Sequence, residues 1–154
     1  MPKVLTQSHQ QKPPTTGNLW HCSRGFLGYG VPINGLKNET LLNIAQGQPN
    51  FEMIKSICIE NGRPSRYLND LAHRFALCSD KMEVYYFHET NPSADLVDTQ
   101  APHQRRVDDP RAIGREKQIW VPRNHSELVK ISSRNDEVYS MTHMALSNII
   151  NDGL

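Results

Sequence analysis

The stretch Met82-Glu83-Val84-Tyr85-Tyr86-Phe87 constrains the fold of this chain more than any other. It is aromatic, β-branched and almost unbroken in its apolarity. A strand with one wet face alternates polar and apolar residues, so this run suits a strand covered on both faces. Such a strand needs helices above and below it, and the rest of the chain offers them. Ser65 stands before Leu68, Leu71, Ala72 and Phe75, an apolar stripe at helical spacing behind a good N-cap. Near the end, Asn135 is a candidate cap for a helix in which Val138, Thr142, Ala145 and Ile149 share a face with Tyr139, Leu146 and Ile150.

Shorter elements fill in the order. Gly25-Phe26-Leu27-Gly28-Tyr29 reads as a short buried strand ending in a turn. Asn38 caps a short helix with Leu41, Leu42 and Ile44, stopped by Gly47-Gln48-Pro49. Asn50 opens a second helix with Phe51, Ile54, Ile57 and Cys58, and Asn61-Gly62 reads as its C-terminal stop. Residues 90–118, with three prolines, many charges and little periodicity, read as a long loop with at most a short strand, and Ile119-Trp120-Val121 as a last short apolar run. Residues 1–17 are polar and rich in Gln, Thr and Pro, so a disordered tail is expected before a domain spanning 18–154. The expected class is α/β: a few parallel strands with flanking helices. Tyr67, Leu68, Leu71, Phe75, Val84, Tyr86 and Phe87 are the expected core.

Composition narrows the function classes. A chain of 154 residues makes one domain, and 37% apolar residues with ten prolines and nine glycines imply a thin core with many interruptions. The net charge of +1 lacks the clustered basic footprint of a nucleic-acid binder. The densest basic stretch, Arg105, Arg106, Arg111, Arg115 and Lys117, is interleaved with Asp108, Asp109 and Glu116, as on a solvated loop. Cys22, Cys58 and Cys78 are odd in number and far apart, which argues against a disulfide framework and for a reducing compartment. No apolar run reaches the length of a membrane span and the N-terminus has no apolar signal core, so a cytoplasmic location is expected. No glycine-rich phosphate loop ending in Lys-Ser/Thr occurs. His21-Cys22 and His88-Glu89 are adjacent pairs rather than spaced ligands, so neither a metal nor a cofactor is expected.

Three separated stretches belong together. They are Gly30-Val31-Pro32-Ile33-Asn34-Gly35-Leu36 with Gly47-Gln48-Pro49-Asn50, then Tyr85-Tyr86-Phe87-His88-Glu89-Thr90, then Asn124-His125-Ser126-Glu127-Leu128-Val129-Lys130. In this order they resemble the C-terminal half of the lipase-like serine esterase domain that often precedes NACHT, ankyrin or tetratricopeptide regions in fungal proteins. The resemblance covers roughly residues 25–150 and rests on order and spacing rather than on one motif. It implies a partial α/β-hydrolase-like fold and ester hydrolysis as the family chemistry. In such enzymes a serine on a tight strand-to-helix elbow is followed along the chain by an Asp or Glu and then a His. On the resemblance, His125 matches the catalytic histidine and Glu89 the acid, with Asp95 and Asp98 as rivals.

The departures shape the functional expectation. The family's Asp-His-Ser is here Asn124-His125-Ser126. No Gly-x-Ser-x-Gly occurs; the nearest approach is His21-Cys22-Ser23-Arg24-Gly25, where glycines follow instead of a helix. The first expectation is therefore a truncated or degenerate esterase-like domain, catalytically silent alone because the covalent step has no nucleophile. The second is an interaction or signalling module that meets a protein partner, or itself, through an open sheet edge. A third is a small unrelated α/β domain.

Overall fold

The structure, a computed structural model, describes residues 22–37, 39–91 and 116–151. In chain order these form β1 (Gly25–Tyr29), α1 (Glu39–Ala45), α2 (Phe51–Ser56), β2 (Ile59–Glu60), β3 (Arg63–Pro64), α3 (Arg66–Cys78), β4 (Glu83–Glu89), β5 (Glu116–Val121) and α4 (Glu137–Asn151). The expected tail at 1–17, the Asn38 cap, and Asp95 and Asp98 lie outside the described residues.

β4 is the centre of a three-stranded sheet in the order β1-β4-β5, and both pairings are parallel. Gly25 pairs with Glu83 and Tyr29 with Phe87 on one side; Val84 pairs with Glu116 and Glu89 with Val121 on the other. The apolar run at 82–87 is buried on both faces, as its composition requires. On one face Val84 and Tyr86 pack with Phe26, Met82 and with Phe75 and Cys78 of α3. On the other, Tyr85 and Phe87 pack with Val121, Leu128 and with Val138 and Ala145 of α4. The arrangement is α/β, helix on sheet on helix.

Local chemistry explains most boundaries. The Ser65 hydroxyl accepts from the Leu68 N–H at 3.2 Å, which caps α3. At α4 the cap is Asp136 rather than Asn135: an Asp136 carboxylate oxygen accepts the Val138 N–H at 2.9 Å. The Asn50 side chain makes no capping hydrogen bond, and α2 ends at Ser56. Asn61-Gly62 does not stop a helix; it turns the β2–β3 hairpin, with φ of 51° and 74°. Two consecutive left-handed residues are what the tightest hairpin connection demands. β5 begins at Glu116, so the short apolar run at 119–121 extends back over residues 116–118, into the segment expected as a loop with at most a short strand. Tyr67 is 39% exposed and Leu71 half-buried, so the core is Phe75, Val84, Tyr86, Phe87 and Leu68 without them. Tyr67 sits directly after the first residue of α3, before the apolar stripe turns inward.

Candidate active site

Two residues expected from sequence to act together, 36 positions apart, lie side by side: Glu89 Oε1 is 3.3 Å from His125 Nδ1. Glu89 is the last residue of β4, and His125 sits in the loop after β5, the adjacent parallel strand. The β4–β5 ladder does not stop at the strand ends. Thr90 N–H donates to Val121 O at 2.9 Å and Asn91 N–H to Arg123 O at 3.2 Å, which draws the two loops together beside Glu89. The Glu89 side chain is 10% exposed and His125 49%, so the carboxylate is shielded while the imidazole meets solvent. An ionised carboxylate only accepts, so Nδ1 carries the proton in the pair and Nε2 becomes the nitrogen able to take one.

The loop that carries His125 is tied down at several points. Arg123 donates to Glu127 O at 3.3 Å, to Lys130 O at 2.8 Å and to Asp136 Oδ2 at 2.8 Å. Asp136 also accepts from the Ser132 N–H and hydroxyl, both at 3.1 Å. The Arg123 guanidinium, followed by the Ser132 N–H, holds the Asp136 carboxyl well below its ordinary range. Leu128, fully buried, plugs the same loop into the core under α4. Asn124, where the resemblance leads one to expect Asp, still serves as an acceptor: its Oδ1 takes the Ser126 hydroxyl and the Glu127 N–H, both at 3.0 Å. The turn needs that oxygen and not its charge.

Gly30 follows β1 and closes the site from below. Its N–H donates to Phe87 O at 2.9 Å, and its φ is +55°. The backbone then turns through Pro32, whose carbonyl accepts the Gly35 N–H at 3.1 Å, and Gly35 has φ of +87°. Arg123, Asp136 and the contact of Gly30 with His125 escaped sequence reasoning. Asp136 directly before a helical run was a readable capping signal, but Asn135 beside it carries the same one.

Neither Ser23 nor any of the cysteines lies on the loops that carry the pair. Ser23 precedes β1, whereas the Glu89–His125 pair lies beyond the other end of the sheet. Six residues lie between Ser23 and Gly30, roughly 20 Å of chain at strand spacing. Cys22 adjoins Ser23 at that far end. Cys58 and Cys78 are buried, and burial pushes both thiols up, away from the thiolate that a nucleophile needs.

At the opposite end of the sheet a second polar group forms. Lys117 meets the buried Glu83 carboxylate at 2.8 Å and donates to Tyr85 Oη at 3.0 Å, and Asn148 of α4 donates to the same oxygen at 3.0 Å. Those bonds to Glu83 and then Tyr85 push the Lys117 ammonium up. Among the described residues no group of three or more His, Cys, Asp or Glu is placed to hold a metal ion, and no helix is long and apolar enough to cross a membrane. Compared with protein-family models, with curated proteins and with solved structures, the chain finds no match in any of the three.

Proposed function

We propose that this chain is the back part of an α/β-hydrolase-type esterase domain, carrying the acid and the base of a triad without its nucleophile. The observation behind the reading is the 3.3 Å approach of Glu89 to His125 at the carboxyl ends of neighbouring parallel strands, just before the last helix. That is where acid and base belong when a serine comes earlier in the chain order Ser, Asp/Glu, His. Glu89 would hold the tautomer and stabilise the charged imidazole; His125 would take a hydroxyl proton and later return it. With no elbow serine in the sequence for the pair to activate, the chain on this reading is silent by itself.

The test is incubation of the purified chain with short acyl esters and a fluorophosphonate probe. No burst, no turnover and no labelled residue are expected. Ester turnover that disappears in His125→Ala, or a probe adduct on Ser23, overturns the proposal.

A second reading, a module that docks a protein partner or a second copy, draws on one feature. Among the described residues β1 pairs only with β4, which leaves its other edge without a described strand. An edge of that kind is a template for a further strand. Light scattering across a concentration series separates the readings: association supports the module, and a monomer throughout counts against self-docking.

A further inference from the structure

We propose that Gly30 is a positioning residue: by having no side chain, it gives the His125 imidazole its seat against Glu89. The inference rests on the acid–base reading of those two residues. A Cβ built on Gly30 would stand 2.7 Å from His125 Cε1 and 2.9 Å from Nδ1, the nitrogen that faces Glu89. Real side chains do not approach so closely, so either the ring or the backbone of residue 30 has to move. The backbone cannot do so cheaply, whereas the half-exposed ring can swing toward solvent while its loop stays in place. The Gly30 N–H is bonded to Phe87 O in the centre of the sheet, and the imidazole sits on a loop held by Arg123 and by buried Leu128. The ring is the softer partner, and its displacement takes Nδ1 away from Glu89.

Two other glycines separate this effect from simple backbone strain. Gly47 and Gly62 also have positive φ, of +79° and +74°, but a Cβ on either would meet nothing within 4 Å. Alanine at those positions carries the left-handed strain alone. At position 30 it carries the strain and the collision together.

The experiment reads the imidazole tautomer by long-range proton–nitrogen correlation spectra at about pH 8, where a histidine is ordinarily neutral. The native chain and Gly62→Ala should show the proton on Nδ1. Gly30→Ala and Glu89→Leu should each lose that signature, and the double variant should look like either single one. If Glu89→Leu loses it while Gly30→Ala keeps it, the proposal for Gly30 fails and the acid–base pair stands. If Glu89→Leu keeps it, the pair and the proposal fall together.

Thermal unfolding supplies a second readout. Gly30→Ala should lower Tm by roughly 5 °C more than Gly62→Ala, and in a His125→Ala background that excess should vanish, because the colliding ring is gone. An excess that persists without the imidazole overturns the proposal. Should Gly30→Ala fail to fold, recovery of folding in Gly30→Ala/His125→Ala supports it and continued failure overturns it.

Discussion

Arg123 and Asp136 are joined at 2.8 Å, and the loop they close carries His125. The Asp136 side chain is 1% exposed, so its charge is acceptable only because the guanidinium, the Ser132 groups and the Val138 N–H surround it. One carboxylate thus caps α4 and anchors the loop before it. The position of the imidazole follows from this pair as much as from Glu89.

Removing the guanidinium should loosen this loop and the start of α4 together. Arg123→Ala is expected to lower Tm by roughly 5–10 °C and to speed amide exchange at Val138. Arg123→Lys, which cannot reach the carboxylate and two carbonyls in a planar fork, should recover only part of the loss. An Arg123→Ala chain as stable as the native one removes the anchoring role.

Acid should expose the same pair. The Asp136 carboxyl is held below its ordinary value of 3.8 in the folded chain. A depressed carboxyl contributes stability that is fully present above the unfolded value and lost as pH falls through the folded one. Urea midpoints measured from about pH 5 down to 2 should therefore drop below pH 4, and the drop should be shallower in Arg123→Ala. Parallel curves for the two chains would place the acid sensitivity elsewhere.

Glu83 and Lys117 give the opposite kind of test. Glu83 is 6% exposed and Lys117 47%, so Lys117→Met removes a cation that stands 2.8 Å from a nearly buried carboxylate. The expected loss is about 1–2 kcal/mol, below that of a fully buried pair because solvent screens the lysine. Lys117→Met/Glu83→Gln should regain much of it. If the double variant is less stable than the single by the full Glu83 contribution, the two side chains act independently.

The second core face depends on one ring. Phe87 has no exposed surface and stacks on Tyr29 with centroids 4.3 Å apart. Phe87→Ala is expected to cost about 3–5 kcal/mol in urea unfolding. Because the Phe87 carbonyl receives Gly30 and the ring supports β1, Tyr29 amide protection should fall with it. A cost near that of an exposed position would mean that the sheet is not packed as described.

Several features are legible in the residues alone because their causes are local. The apolar run at 82–87 needs cover on both faces whatever surrounds it, and Ser65 caps α3 with its own hydroxyl three residues before the bonded N–H. His125 and Glu89 could be picked out only by resemblance, since nothing within either segment marks a partner. What joins them is the parallel register of β4 and β5, set across a connection of more than twenty residues and extended by the Thr90 and Asn91 bonds. The same holds for Asn61-Gly62, where helix stop and hairpin turn use the same two residues. The chain around them decides: Cys58 bridges to Leu36 and Ile59 pairs with Pro64, so the backbone extends instead of coiling. Gly30 is the clearest case. Its sequence says only that a turn is possible there, while the imidazole that forbids any side chain arrives from 95 positions downstream. Propensity and capping act within one turn or strand; contact between distant segments is decided by how the sheet and its covering helices pack.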